Sequence, residues 1–142
     1  PEEKIFDRQM IGQTLVSGLA SGMLAFASWY WMIKVQTTNE ASARNMILLL
    51  MVLLQNVHVF NCRSEKVSAF MIPIQRNLIL VFGVLAAQGI HVLSMHAPFM
   101  QGILGTEPVR FNQWLIALAL ALVVLVVMEV FKRVAGGRYV TG

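Results

Sequence analysis

The chain has 142 residues, of which 57% are hydrophobic and only 13% are charged, and its formal net charge is +4. Soluble domains carry about a quarter of charged residues, so this composition excludes an ordinary water-soluble fold. The basic residues flank apolar runs instead of forming a stripe, which excludes nucleic acid as a partner and favours contact with a lipid bilayer.

Four uncharged stretches predict four transmembrane helices, because a bilayer core of about 30 Å needs about 20 apolar residues in a helix. Their short connections place consecutive helices antiparallel to each other. We therefore predict an all-α integral membrane protein, an antiparallel bundle of four transmembrane helices that forms a single domain over residues 1–142. The predicted spans are, in chain order, residues 10–33, 41–61, 77–96 and 112–131.

Lysine and arginine residues are divided unequally between the two sides of this predicted bundle. The two termini and the connection after the second span carry eight of them, whereas the other two connections carry three. The side of a membrane protein that is richer in lysine and arginine faces the cytoplasm. We therefore expect both termini to be cytoplasmic.

The first span combines hydroxyl groups and small residues on one face. Thr14, Ser17 and Ser21 lie at helical spacing, with Ser28 two turns further along the same face. Gly18 and Gly22 form a small-xxx-small pair, which permits close helix approach. This pattern favours a helix-packing face over the alternative, a direct role of the hydroxyl groups in transport.

The second and third spans each carry a glutamine and a histidine three residues apart. Gln55 and His58 lie on one face of the second span, and Gln88 and His91 repeat the arrangement in the third. A glutamine oxygen can bind a hard cation or accept a hydrogen bond from a neighbouring helix. A transition-metal site formed by these four residues would need more His, Cys or carboxylate ligands, so we interpret His58, Gln88 and His91 as interhelical polar residues.

The fourth span has no polar residue from Leu115 to Met128, a pattern that indicates a peripheral, lipid-facing helix. Glu129 follows, with Lys132 and Arg133 three and four residues further on. This is the spacing of an ion pair along a helix, and it predicts a structural role.

The sequence shows no catalytic motif. It has no phosphate-binding glycine loop, no nucleophile elbow and no paired metal-binding histidines, and its one cysteine, Cys62, cannot form an intrachain disulfide. A carboxylate in the middle of a span is also missing, which disfavours a self-contained proton relay or ion channel. These residues predict a membrane bundle and leave its function open.

The segment FNCRSEKVSAF, at residues 60–70, and the Asn77-Leu78 pair resemble the end of the eighth transmembrane helix, the following cytoplasmic loop and the start of the ninth helix in type II P-type ATPases. The opening PEEKIFDR resembles the loop before the seventh helix of that family. His91 matches a histidine in the ninth helix of its calcium pumps. The segments NQWL, at 112–115, and EVFK, at 129–132, resemble elements that bracket the tenth helix.

The resemblance covers the whole chain and implies that it forms helices seven to ten, the C-terminal membrane region of a cation pump similar to calcium-pump-like bacterial members. A bacterial inner membrane is the location that this implies. The chain begins at Pro1 without a methionine, and we expect it to be a piece of a larger pump.

Calcium pumps of this family place a cation-binding carboxylate ten residues before the glutamate of the Ser-Glu motif, and here that position is Gln55. The resemblance implies that Gln55 supplies a neutral oxygen at the rim of the cation site. The main cation ligands, the phosphorylated aspartate and the nucleotide domain lie elsewhere in such pumps. The chain itself is therefore expected to have no cofactor and no ATPase activity, whereas the parent pump would use ATP and Mg.

The leading hypothesis is a support bundle whose partners are the bilayer, the other helices and cytoplasmic domains of the parent pump, and the transported cation. Calcium, magnesium, sodium and protons all stay open as that cation. The alternative is an independent four-helix membrane protein, either a small channel or an assembly and interaction module.

Overall fold

The computed structural model describes residues 8–62 and 77–139, and within those ranges the chain is helical and has no strand. Four of its helices are long and apolar enough to cross a membrane, which confirms the predicted all-α membrane fold. In chain order the helices are α1 (Arg8–Lys34), α2 (Glu40–Asn61), α3 (Leu78–His96), α4 (Pro98–Leu104) and α5 (Phe111–Tyr139). Most of the opening PEEKIFDR and of the FNCRSEKVSAF segment lies outside the described residues.

Polar side chains fix the starts of three of the long helices. The Oδ1 atom of Asn39 accepts a hydrogen bond from the main-chain N–H of Ser42 at 2.9 Å, and Asn77 accepts one from Leu80 at 3.2 Å. At the start of α5, Gln113 reaches back to the main-chain N–H of Arg110 at 3.0 Å. Each bond satisfies an N–H group that has no partner within its helix.

The connection between α3 and α5 contains the short helix α4, which was not among the predicted helices. Pro98 occupies its first turn, where a missing N–H costs nothing. Gly105 ends the helix with φ of +60°, a conformation that glycine adopts without strain. Pro98 and Gly105 thus form the boundaries of this short helix.

The core of the bundle lies between α1, α2 and α5, with α2 and α5 in the most extensive contact. Helix α3 packs against α4 and, to a lesser extent, against α2. The buried core side chains of α2 and α5 are Leu49, Leu50, Leu53, Leu54, Ala117, Ala121, Val124 and Met128.

The prediction that the fourth span is a peripheral helix is therefore wrong, because α5 packs against both α1 and α2. One face of α5 is buried, and small residues such as Ala117 and Ala121 lie on that face. Helices associate within a bilayer by close packing, which small residues permit without any polar group. The absence of polar residues consequently does not identify a lipid-facing helix.

The predicted close approach at Gly18 and Gly22 does not occur within the described part of the chain. A Cβ atom added at either glycine would meet no atom within 4 Å. The close approach lies instead at Gly12, where an added Cβ would come within 3.3 Å of the ring of Phe131. Helix α1 therefore closely approaches α5 at Gly12, nearer the start of α1 than the predicted pair of glycines.

Contacts between the helices define two ends of the bundle. The start of α1 lies beside the ends of α2 and α5, as the Gly12–Phe131 approach and a Ser17–His58 contact show. We call this the His58 end. The opposite end, where Ser42 and Glu107 meet, is called the Glu107 end. Helix α1 is thus antiparallel to α2 and to α5.

Candidate functional site: polar contacts between the helices

His58 links α1 to α2 at the His58 end. The Oγ atom of Ser17, which is buried, lies 2.8 Å from Nδ1 of His58. On the other side of the imidazole ring, Nε2 lies 3.3 Å from Sγ of Cys62. Both ring nitrogens are therefore engaged, and the ring is held in one orientation between the two helices. Of the predicted hydroxyl face on α1, Ser17 is the member that makes this contact, whereas Thr14 is exposed and bonds to the carbonyl of Met10.

A buried lysine joins α5 to the end of α2. The Nζ atom of Lys132 donates a hydrogen bond of 2.8 Å to the main-chain carbonyl of Asn61. It also lies 3.9 Å from Oε1 of Glu129, as the i, i+3 spacing predicts. The sequence pattern does not predict the bond to Asn61, because that bond depends on α2 and α5 ending at the same side of the bundle.

Helix α3 is attached to α2 through an amide pair. The Nδ2 atom of Asn56 donates a hydrogen bond of 3.0 Å to Oε1 of Gln88. One turn further along α3, His91 is 9% exposed, and its Nε2 atom has no hydrogen-bond partner in the described part of the chain. Nothing in the spacing of Asn56 along the sequence indicates which residue of α3 it contacts.

The four residues Gln55, His58, Gln88 and His91 do not come together as one cluster. His58 contacts α1, whereas Gln88 contacts Asn56, so the two predicted pairs engage different partners. Among residues 8–62 and 77–139, no group of three or more His, Cys, Asp and Glu side chains is placed to hold a metal ion. The described arrangement therefore does not provide a transition-metal site.

Gln55 lies on the exposed surface of α2, next to the hydrogen-bonded Asn56. Its side-chain amide makes no hydrogen bond with the described residues. The structure thus leaves the oxygen of Gln55 accessible on the outside of the bundle, at a distance along α2 from the contacts that hold the Glu107 end together.

At the Glu107 end, α2 holds the segment that precedes α5. Asn45 donates from Nδ2 to the main-chain carbonyl of Glu107 at 2.7 Å and accepts from its N–H at 3.3 Å. The hydroxyl of Ser42 donates to the carboxylate of Glu107 at 2.9 Å. This contact was not among the sequence-based predictions, although a polar Asn45 in the first turns of an apolar helix is a signal that could have indicated it.

These contacts hold helices in position, and among them the hydrogen-bonded pair of Ser17 and His58 links α1 to α2. They engage backbone carbonyls and amide side chains at both ends of the bundle, where each unpaired polar group would be costly in a bilayer. Chemically, the arrangement is suited to rigid support of neighbouring structure.

Comparison with known proteins agrees with this description. Residues 1–134 match the family described as cation transporting ATPase, C-terminus. A calcium-transporting ATPase of endoplasmic reticulum type from Arabidopsis thaliana is 30% identical over 72% of this chain and 10% of its own length. Calcium-transporting ATPase 1 of Bacillus cereus is 33% identical over 63% of this chain and 10% of its own length.

A calcium-transporting ATPase of Bacillus subtilis is 26% identical over 85% of this chain and 14% of its own length. The chain thus spans about a tenth of the length of the curated relatives that it matches. The match of the family description to nearly the whole chain confirms the resemblance stated from the sequence motifs. The chain belongs to the family of C-terminal membrane regions of cation-transporting ATPases.

Proposed function

We propose that this chain braces the membrane domain of an ATP-driven cation pump and carries no catalytic step itself. The observation that carries this proposal is that polar contacts join α2 to α1 and α5 at one end of the bundle and to the segment before α5 at the other. Ser17 and Lys132 tie the helices at the His58 end, and Asn45 ties α2 to the segment before α5 at the Glu107 end. Such a bundle resists relative sliding of its helices.

The relatives indicate the chemical class of the transported substrate. Their names describe transport of calcium or of cations, so we propose a metal cation as the substrate of the parent pump. ATP and Mg would bind in parts of the pump other than this bundle. The remaining helices and the cytoplasmic domains of the pump would be its protein partners.

For the orientation we propose that both termini, and with them the His58 end, face the cytoplasm. The support is the excess of lysine and arginine on that side, eight against three. Bacterial relatives support a bacterial inner membrane as the location.

We further propose that Gln55 supplies a neutral oxygen at the edge of the cation path. The support is its exposed position on α2, outside the three-helix core, where a side-chain oxygen is available to another helix of the pump. An amide oxygen is a suitable ligand for a hard cation. Because the amide carries no charge, its contribution to cation binding would be weaker than that of a carboxylate.

Two measurements test this function. In the full-length pump, Gln55→Ala should weaken the apparent cation affinity several-fold while leaving expression intact. Gln36→Ala, an exposed glutamine in the connection between α1 and α2, is the matched control and should leave that affinity unchanged. An unchanged affinity in Gln55→Ala would remove Gln55 from the cation path, without touching the bracing role.

The second measurement addresses the proposal that this chain carries no catalytic step. The purified 142-residue chain should insert into liposomes but form no phosphoenzyme and hydrolyse no ATP. ATP hydrolysis by the pure chain would contradict a purely supporting function.

A further inference from the structure

A cavity of about 560 Å³ lies between α1, α2 and α5 in the half of the bundle next to the Glu107 end. This volume is in the range of pockets that bind small organic ligands, about 300–1,000 Å³. Its walls are apolar and come from all three helices. The main wall residues are Leu24, Met32, Met46, Leu50, Ala117 and Leu120.

Apart from Ser28, which lies partway along the α1 wall, the polar lining residues of the cavity lie at one end. Gln36 and Thr38, which follow α1, Ser42 in the first turn of α2, and Gln113 in the first turn of α5 form this polar rim. Trp31 also lines the cavity near the rim, and tryptophan favours the boundary between hydrocarbon and water. The apolar interior therefore lies at the depth of the hydrocarbon, and the rim lies at the level of the lipid headgroups.

The depth of the cavity matches one leaflet of a bilayer. Along α1 it extends from Leu24 to Met32, which is about 12 Å at a rise of 1.5 Å per residue. Along α2 it extends from Ser42 to Leu50, again about 12 Å. One leaflet contributes about 15 Å of hydrocarbon, half of the core thickness. The cavity thus runs along most of one leaflet, in the direction of its acyl chains.

Basic residues adjoin the rim in sequence and suit a phosphate group, and the acidic Glu40 in the first turn of α2 adjoins it as well. Lys34 ends α1 two residues before the rim residue Gln36, and Arg110 precedes α5 and bonds through its main chain to the rim residue Gln113. Both basic side chains are exposed. The carboxylate of Glu107 at this end accepts a hydrogen bond from Ser42, which reduces its repulsion of an anion.

We propose that this cavity is a phospholipid-binding site, in which one acyl chain fills the apolar interior and the phosphate lies at the rim beside Lys34 and Arg110. An empty cavity would deprive the wall side chains of dispersion contacts, and in a bilayer the acyl chains are the apolar groups closest at hand. This inference depends on the membrane location of the chain and not on its role in a pump.

Native mass spectrometry of the purified 142-residue chain with added phosphatidylglycerol tests the proposal. Ala27 lines the cavity, so Ala27→Phe places a ring in the space that the acyl chain would occupy. Ala119→Phe makes the same change at an exposed position of α5 that does not line the cavity. The wild-type chain and Ala119→Phe should retain one phosphatidylglycerol molecule under activation that removes all others, whereas Ala27→Phe should bind it at least about tenfold more weakly, since overlapping volume is not tolerated.

Ile116→Trp, at a second exposed position of the cavity wall, gives the same test should Ala27→Phe fail to fold. Added phosphatidylglycerol should also raise the melting temperature of the wild-type chain and of Ala119→Phe, but not of the filled variants. Replacing both Lys34 and Arg110 by glutamine should weaken retention of phosphatidylglycerol several-fold. Equal retention by filled and control variants would overturn the proposal, as would a lipid-free dimer in which a second copy fills the cavity.

Discussion

Lys132 of α5 donates a hydrogen bond of 2.8 Å from Nζ to the main-chain carbonyl of Asn61, the last residue of α2. Both residues are buried, with 5% and 1% of their surface exposed. Carbonyl groups in the last turn of a helix have no partner within that helix, and a cation there is favoured by the negative end of the helix dipole. The side chain of Lys132 therefore satisfies a carbonyl at the end of α2 and links α2 to α5.

This relationship predicts that Lys132→Met destabilises the chain. The variant keeps the length of the side chain but loses the hydrogen bond to Asn61 and the ion pair with Glu129, so we expect a loss of about 1.5–3 kcal/mol, the range for a hydrogen bond from a charged group. Thermal unfolding of the chain in detergent measures the change. Arg133→Met is the matched control, because Arg133 is the next residue, is exposed and should tolerate the change. Equal melting temperatures for the two variants would show that the bond to Asn61 contributes little.

The contact between Ser17 and His58 predicts a measurable coupling between α1 and α2. Ser17→Ala removes one partner of the 2.8 Å hydrogen bond and should lower the free energy of unfolding by about 1 kcal/mol, within the range measured between membrane helices. Ser21→Ala, one turn along the same helix and without a described hydrogen bond, should have less effect. A double-mutant cycle with His58→Phe isolates the pair, and a coupling energy near zero would contradict an energetic role for it.

The sequence predicts the parts of this fold that depend on local pattern. Charge gaps and span lengths identify the long helices, and i, i+3 spacing identifies the pair of Glu129 with Lys132. The contacts between helices are not predictable in this way. The bond from Lys132 to Asn61 and the pairing of Asn56 with Gln88 depend on the rotation and depth of each helix.

The buried face of α5 is a second feature that the sequence does not predict. In a bilayer, polarity no longer separates the buried face from the exposed face, because lipid and protein interior are both apolar. The buried Ala117 and the exposed Ala119 are the same residue type on one helix. Only the shape of the neighbouring helices distinguishes them, and a single sequence does not contain that information.

The contacts of Asn45 predict that this residue stabilises the Glu107 end. Its amide uses both functions, donating to the carbonyl of Glu107 and accepting from its N–H. Asn45→Asp keeps an acceptor but loses the donor and faces a carbonyl with a negative charge, so it should destabilise the chain by about 2 kcal/mol or more. Ser42→Ala removes a hydrogen bond to the exposed carboxylate of Glu107 and should lower the stability by less than about 1 kcal/mol. Chemical denaturation in mixed micelles compares the two variants, and a larger loss for Ser42→Ala would contradict the role given to Asn45.

Thr37, in the turn between α1 and α2, has φ of 50°. A β-branched residue in this left-handed region is strained by about 1–2 kcal/mol, because its Cβ atom lies too close to the following carbonyl oxygen. Thr37 is exposed, and among the described residues its hydroxyl bonds only to the neighbouring carbonyl of Gln36. Replacing it with glycine therefore removes the strain without removing a contact between helices.

Thr37→Gly should raise the melting temperature of the chain, with a gain in stability of up to about 1 kcal/mol after the greater freedom of glycine in the unfolded chain is deducted. Thr37→Asn should give a smaller gain, because asparagine tolerates this region better than threonine does. Thr38→Gly is the control: its φ is not positive, so glycine there relieves no strain and should lower stability. A gain for Thr38→Gly equal to that for Thr37→Gly would show that the effect is not due to the backbone conformation of Thr37.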